Sequence, residues 1–419
     1  MTQDRRYEPA TQKRVVETIP KGLSGCLSLD DMEGAARRHL PVPIFGYVSG
    51  VAETGATALG NRKQFDEWRF VNRTLAGHIQ RDLSRMVMGE RVGLPFAIAP
   101  MGFSALAAYD GDVVLARAAR DRDTFAITSA TSLTPLERIA REGGSRWFQA
   151  YFPGDLERVE AMVDRIGAAG YSTLVVTVDI PMNGNREIDR RNGFVTPLKP
   201  TLRLAWQGLT RPRWLLGTAL KTLRHHGMPH FENLDVDRGP PILARDVVRS
   251  FSKREALAWQ HVEAARNRWK GRFVLKGIVH PDDAERARRI GADGVVVSNH
   301  GARQMDGAIA PLQALPAVKA AAGDMAVMVD SGFRRGTDVL KAIALGADLV
   351  LVGRPFLYAA SVGGEDGVGY AIDTLKAEID RNMALLGIRA LAEMTGDLLA
   401  AAGHPLPIRD AGKGGESPS

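Results

Sequence analysis

"AVMVDSGFRRGTDVLKAIALGADLVLVGRPF", residues 326–356, is the stretch that decides the fold. Four apolar residues run into Asp330-Ser331-Gly332, a helical period starts near Gly336, and a second apolar run ends in Gly353-Arg354. Strand, turn, amphipathic helix and strand make a βα unit, because parallel neighbours need a crossover of about a dozen residues or more. The rhythm continues upstream to residue 95. Apolar or β-branched runs occur at 95–100, 125–129, 147–151, 173–179, 273–277, 294–299, 326–330 and 349–353. Between them lie segments of helical period such as "DLERVEAMVDRIGAAG" and "PDDAERARRIGA", several opened by Asp or Pro as a helix start prefers. Eight such units in 419 residues predict an α/β fold, a (β/α)8 TIM barrel. A doubly wound open sheet is the alternative.

Two regions fall outside the rhythm. Residues 1–90 form an N-terminal extension expected to pack on the barrel at 91–395, and an insertion of about 183–250 separates the fourth and fifth strands. Residues 396–419 read as a C-terminal tail whose "GKGGESPS" end is expected to be disordered. One cysteine, Cys26, cannot make an internal disulfide, which points to a reducing, cytoplasmic setting. The N-terminus has no apolar core of a secretory signal, and no run approaches the ~18 apolar residues of a spanning helix. The formal net charge of +7 permits contact with an anionic surface, but no nucleic-acid motif accompanies it, so nucleic acid is not an expected partner.

In a TIM barrel the strand ends converge on one face, and there the chain carries polar groups almost without exception. They are Pro100-Met101-Gly102, Ser129, Gln149 and Tyr151, Thr177 and Asp179, Lys276, Ser298 and His300, Asp330-Ser331-Gly332-Phe333-Arg334, and Gly353-Arg354. The loops after strands seven and eight, with arginines and a helix N-terminus, suit a phosphate. They do not choose among FMN, a sugar phosphate and a nucleotide. Lys276 at the barrel mouth could form a Schiff base or stay charged beside an electron-accepting ring. His300 is the best general base, since imidazole titrates near neutrality, and Asp179 could orient it. Arg186 and Arg303 suit bidentate recognition of a carboxylate. No residue is assigned to a metal.

The motifs "SNHGARQMD", "FVLKGI", "FQAYF" and "TVDIPMNGNRE", with the phosphate signature above, resemble the FMN-dependent L-2-hydroxy-acid oxidase and dehydrogenase family. That family takes in glycolate oxidase, L-lactate dehydrogenase and mandelate dehydrogenase. The resemblance runs from about Ser28 to Met394. It implies His300 as catalytic base with Asp179 as partner, and Arg186 and Arg303 on the substrate carboxylate. Tyr47 and Tyr151 would contact the substrate oxygen. FMN would be held by Pro100 to Gly102, Ser129, Gln149, Thr177, Lys276 and Ser298, with its phosphate at Asp330 to Arg334 and Gly353-Arg354. The implied reaction turns a lactate- or mandelate-like 2-hydroxy acid into the 2-keto acid, in a homotetramer by analogy.

Three departures from the pattern bear on substrate and acceptor. Gly46 stands where relatives often carry Asp, and Thr131 where glycolate-type members carry an aromatic, which favours a larger substrate. Gly102 stands where several oxidases carry Ala, which leans toward a dehydrogenase. The insertion segment 199–228 holds six Lys/Arg in "KPTLRLAWQGLTRPRWLLGTALKTLRHHG" and no acidic residue, with Leu216, Leu220 and Leu223 on one helical face and Trp206 and Trp214 nearby. That composition suits peripheral docking on an anionic membrane surface, on the cytoplasmic face and near a quinone pool. The competing readings are a lid over the site, a soluble oxidase that makes hydrogen peroxide, a non-redox phosphate-binding aldolase or isomerase, and an idle barrel serving as an anchor.

Overall fold

The computed structural model describes residues 19–77, 80–194, 201–243 and 254–404. The end of the tail, residues 405–419, lies outside them, as do residues 1–18 of the extension and parts of the insertion. Eight strands build one parallel sheet: β1 (Phe96–Ile98), β2 (Ile127–Ser129), β3 (Trp147–Ala150), β4 (Thr173–Thr177), β5 (Arg272–Ile278), β6 (Gly294–Val297), β7 (Ala326–Val329) and β8 (Leu349–Val352). Each pairs with its successor from β2 through β8, and β8 pairs with β1. A single parallel bridge between Ile98 and Ala126 joins β1 to β2, so the sheet closes on itself. The TIM barrel expected from the sequence is the fold observed, and all eight runs are its staves.

Closure explains the sequence pattern. Most of these strands are buried along their whole length, with one face toward the barrel interior and the other under the helices. Such strands read as continuous apolar runs rather than alternating ones. Asp155 caps the helix Leu156–Ala168 by accepting from the Arg158 amide. Asp338, three residues into Gly336–Ala344, accepts from the amides of Arg334 and Arg335 at 2.9 and 3.0 Å and fixes the turn after β7. On β5 the register slips between Lys276 and Ile278. Gly277 sits there at φ +107°, and a Cβ on it would come 2.5 Å from Asp179 Cβ. Glycine therefore lets β5 pass directly beside Asp179.

The N-terminal extension packs on the barrel and delivers residues to its mouth. Helix Leu29–His39 lies on Arg354–Leu386, and Val42–Ser49 brings Tyr47 over the strand ends. Leu399–Ala401, assigned by the sequence to the tail, instead forms an antiparallel ladder with Trp68–Phe70 of the extension. Three-residue strands carry too short an alternation to be seen in sequence. Within the described part of the insertion, Leu202–Leu209, Pro212–Trp214, Leu215–Leu220 and Lys221–His226 are helical. Trp214, expected among the outward apolar residues, is half-buried, and its indole N–H donates to the Leu106 carbonyl at 2.8 Å. A buried indole needs such an acceptor, so Trp214 pins the insertion to the barrel instead.

Candidate active site

A cavity of about 1100 Å³ opens at the C-terminal ends of the strands. Ligand pockets run to roughly 300–1,000 Å³, so this one has room for more than one small molecule. The loop after β6 carries its most reactive group. His300, Gly301 and Ala302 all take left-handed backbone angles, at φ +58°, +65° and +63°. For His and Ala such angles cost about 1–3 kcal/mol each and persist only where the surroundings over-determine them. Here the His300 amide donates to Ser298 Oγ at 3.0 Å, the Gly301 amide to Ser331 Oγ at 3.0 Å and the Ala302 amide to Asn299 Oδ1 at 3.2 Å. Asn299 is itself locked by reciprocal amide bonds to Asn61.

His300 Nδ1 lies 3.0 Å from Asp179 Oδ1. Nδ1 is thus engaged, and Nε2 is the atom left for proton transfer at the cavity, which His300 lines. Burial lowers the imidazole pKa and Asp179 opposes that shift. For Asp179, burial alone would push the carboxyl up, but His300 and Lys276 more than offset it and hold it below its usual range. The pair therefore combines an ionised acid with an imidazole that is free to accept a proton at neutral pH.

Lys276 has partners that the sequence did not reveal. Its ammonium lies 2.9 Å from Asp330 Oδ2 and donates to Ser298 Oγ at 2.8 Å. Burial would lower its pKa, but Asp330 and Asp179 raise it above the ordinary value. Asp330, grouped by sequence with the phosphate loop, is therefore the counter-ion of Lys276, because a buried ammonium requires one. A lysine held this firmly protonated is a fixed cation and a poor Schiff-base nucleophile.

The two arginines lie together at the mouth. Arg303 Nη1 donates to the carbonyls of Tyr47, Val48 and Gly50, and its guanidinium sits 5.0 Å from the Tyr47 ring. Arg186 pairs with Asp189 at 3.0 Å and lies 6.0 Å from the same ring. Tyr47 and Tyr151 both line the cavity. Burial raises both phenol pKa values, that of Tyr151 to about 12, so both stay protonated hydrogen-bond donors. Beside them stands an aromatic wall. Tyr47 stacks on Phe194 at 4.5 Å and meets Phe103 edge-on at 5.1 Å, and Phe103 meets Phe231 at 6.0 Å.

The cavity carries a second pair of cations. Arg334 and Arg354 line it, and burial lowers the pKa of both, that of Arg354 to about 10. Arg354 donates to the Gly301 carbonyl, which ties it to the His300 loop. The N-terminus of Gly336–Ala344 adds its dipole nearby. Phe333 presents backbone to the site, while its ring packs on Phe65 at 5.1 Å in the core. Pro100, Met101, Gly102, Thr177, Ser331, Gly332 and Gly353 also line the cavity. Ser129, Gln149 and Ser298 are buried at the strand ends and do not line it themselves. Gln149 Nε2 and Thr177 Oγ1 are buried without a hydrogen-bond partner among the described residues. A polar ligand in this cradle would answer such orphaned groups.

Both glycine departures have a steric reason. A Cβ at Gly102 would come 2.1 Å from Thr131 Oγ1 and 3.2 Å from the Tyr47 hydroxyl. A Cβ at Gly46 would come 2.2 Å from Asn192 Nδ2, so Asn192 fills the space that a larger residue would need. Several lining residues escaped the strand-end reasoning. Arg62 bonds to the Gly332 carbonyl and Asp338, Arg254 lies 4.4 Å from the Tyr151 ring, and Phe194 and Phe231 form the apolar wall. Arg62, Phe194 and Phe231 come from the extension or the insertion and Arg254 from the segment that follows the insertion, where no strand period marks them.

Comparison with known proteins agrees with this geometry. The model of the FMN-dependent dehydrogenase family matches residues 36–401. An L-lactate dehydrogenase of Ectopseudomonas mendocina (strain ymp) is 37% identical over 374 residues, 88% of this chain and 97% of the relative. The crystal structure of the monotopic membrane protein (S)-mandelate dehydrogenase superposes with a TM-score of 0.82 at 33% identity, covering 90% of this chain and 99% of that one. A mandelate oxidase bound to (S)-2-phenylpropionate superposes with a TM-score of 0.73 at 35% identity, covering 89% and 98%. With a closed eight-stranded barrel, a buried acid–imidazole pair and a cationic pocket, the chain belongs to the FMN-dependent dehydrogenase family.

Proposed function

We propose that this chain oxidises an L-2-hydroxy acid with a bulky apolar or aryl side chain to the 2-keto acid, using FMN, and hands the electrons to a membrane quinone. The His300–Asp179 pair at the cavity mouth is the observation that carries the chemistry. FMN, when bound, supplies a two-electron acceptor and takes up the α-hydrogen equivalent. Arg334 and Arg354 would hold its phosphate, with the backbone of 331–333. Lys276 would place a fixed positive charge beside the ring, and Thr177 would donate or accept at its polar edge. Arg303 and Arg186 would hold the substrate carboxylate and orient the carbon. Tyr47 and Tyr151 donate to its oxygen. His300 Nε2 then accepts the hydroxyl proton, and Asp179 stabilises the imidazolium that forms. The aldolase reading fails on Lys276, which is ion-paired and protonated.

The aromatic wall favours the bulky substrate. Phe103, Phe194 and Phe231 line the cavity beside Tyr47, and Thr131 lines it with a side chain smaller than an aromatic. A methyl group would leave much of that surface unfilled. The insertion supports the membrane partner. Thr218 and Thr222 face the protein, while Leu216, Leu220 and Leu223 face outward at 64, 47 and 42% exposure, with Trp206 and Leu209 beside them. Exposed Arg213, Lys221 and Arg224 accompany this apolar face. A helix that buries its small polar residues and exposes its leucines is suited to an interfacial position. Among the described residues, no helix is long and apolar enough to cross a membrane.

The test is anaerobic flavin bleaching by a panel of L-2-hydroxy acids, followed by reoxidation with oxygen or a short-chain quinone. An L-aryl hydroxy acid should bleach fastest, and the quinone should outpace oxygen. Stoichiometric peroxide with no quinone preference would make the chain an oxidase instead. Fastest bleaching by L-lactate would overturn the substrate reading.

A further inference from the structure

Helix Ala56–Lys63 of the N-terminal extension takes no part in the chemistry above, yet its last turn touches two loops of the cavity. Asn61 is buried there. Its Nδ2 donates to Asn299 Oδ1 at 3.0 Å, and its Oδ1 accepts from Asn299 Nδ2 at 2.7 Å. The next residue, Arg62, donates to the Gly332 carbonyl and to Asp338, both beyond β7. Gly332 passes so close to the Asn61 carbonyl that a Cβ would meet it at 2.5 Å. Gln64 fixes this turn by donating to the same carbonyl at 2.8 Å and accepting from the Leu312 amide at 2.8 Å.

The Asn299 amide can point only one way. Its Oδ1 accepts from the Ala302 amide at 3.2 Å, and its Nδ2 donates to the Ile309 carbonyl at 3.1 Å. A flipped amide would set a donor against an N–H and an acceptor against a carbonyl. The orientation of Asn61 follows, since each of its polar atoms faces the complementary atom of Asn299. Asn299 thereby braces the turn His300–Ala302, in which three successive residues hold left-handed angles. Two of them are not glycine, so the turn keeps this form only while it is held from outside. Ser298 and Ser331, which also accept from it, are tied to Lys276 and Asp330 of the barrel, whereas Asn299 is anchored by the extension.

We propose that Asn61 is a positioning residue for proton transfer: through Asn299 it holds the His300–Ala302 turn and keeps His300 Nε2 aimed at the substrate. The proposal rests on the reading of His300 as the base. Asp179 holds the imidazole ring, and Asn61 holds the backbone that carries it. A displacement of about 1 Å at a reacting group costs on the order of 100-fold in rate. That loss falls on flavin reduction and spares substrate binding, because Arg303 keeps its own carbonyl partners at Tyr47, Val48 and Gly50.

The test compares the holoenzyme with Asn61→Ala and with Thr57→Val. The second variant loosens the same helix elsewhere, where Thr57 Oγ1 donates to the Met305 carbonyl and accepts from the Ala308 amide. Hydrogen exchange of peptides spanning residues 298–303 reports on the turn, and anaerobic stopped flow gives the limiting rate of flavin reduction and the substrate Kd. Asn61→Ala should lose protection in those peptides and slow reduction by about tenfold or more, with Kd within about threefold. Thr57→Val should keep both the protection and the rate. Adding Asn61→Ala to Asn299→Ala should cost no further rate, since one residue acts through the other. Three results would each overturn the proposal: reduction in Asn61→Ala within about threefold of wild type, equal slowing in Thr57→Val, or additive losses in the double variant. If no L-2-hydroxy acid reduces the wild type, the reading of the base fails instead. The exchange measurement then decides alone, and unchanged protection in Asn61→Ala would show that it does not hold the turn.

Discussion

Replacing Asp179 by Asn keeps the shape of the side chain and removes its charge, so it isolates what the acid does for His300. The carboxylate lies 3.0 Å from Nδ1, and both groups are buried. As His300 takes the substrate proton, its contact with Asp179 becomes a hydrogen bond between two charged groups. Hydrogen bonds to charged groups contribute about 1.5–3 kcal/mol. Losing that term from the transition state slows proton transfer by roughly ten- to 150-fold. The pH profile moves as well, with a definite sign. Burial lowers the His300 pKa and Asp179 raises it, so the variant imidazole must have a lower pKa than the native one. The base is active above its pKa, and the acidic limb of the rate profile therefore shifts toward lower pH while the plateau falls. Anaerobic stopped-flow reduction of the bound flavin measures both. A plateau within threefold of wild type, or an acidic limb displaced toward higher pH, would refute the reasoning.

Gly102→Ala forces Thr131 to move, since the new Cβ would meet its Oγ1 at 2.1 Å, and overpacking of this kind costs about 1–3 kcal/mol. Adding Thr131→Ala should recover part of that loss in a double-mutant cycle of thermal stability, and strict additivity would count against the contact. Lys276→Met leaves Asp330 as an unpaired buried carboxylate, so stability should fall by about 3–5 kcal/mol in denaturant unfolding. A loss under about 1 kcal/mol would contradict the pairing. Changing Leu216, Leu220 and Leu223 together to Glu removes roughly 1 kcal/mol of apolar burial each at a bilayer. Vesicle partitioning should drop on the order of a hundredfold. Unchanged partitioning would show that this face does not meet the membrane.

The barrel was legible because its strands are buried on both faces and each stave is an uninterrupted apolar run. "GVVVSNHGARQ" announced both a strand and the polar loop that follows it. The proximity of His300 and Asp179 was legible for the same reason, since the fold brings every strand end to one face. What the sequence could not show is which polar groups satisfy one another there. Asp330 looks like part of a phosphate loop until Lys276 is seen 2.9 Å away. Trp214 belongs by composition to an exposed face until its indole is found on the Leu106 carbonyl. Arg62, Phe194 and Phe231 reach the cavity from the extension and the insertion, where contacts distant in sequence decide their roles. The glycines at 46 and 102 stand out in the sequence as departures, but their partners Asn192 and Thr131 are visible only in three dimensions.

The most direct test is single-turnover anaerobic flavin reduction in His300→Asn, with FMN content measured on the same sample. General-base catalysis contributes about 10²–10⁴-fold, so reduction by an L-2-hydroxy acid should slow by at least two orders of magnitude while FMN stays bound. Reduction within a few-fold of wild type would contradict the account.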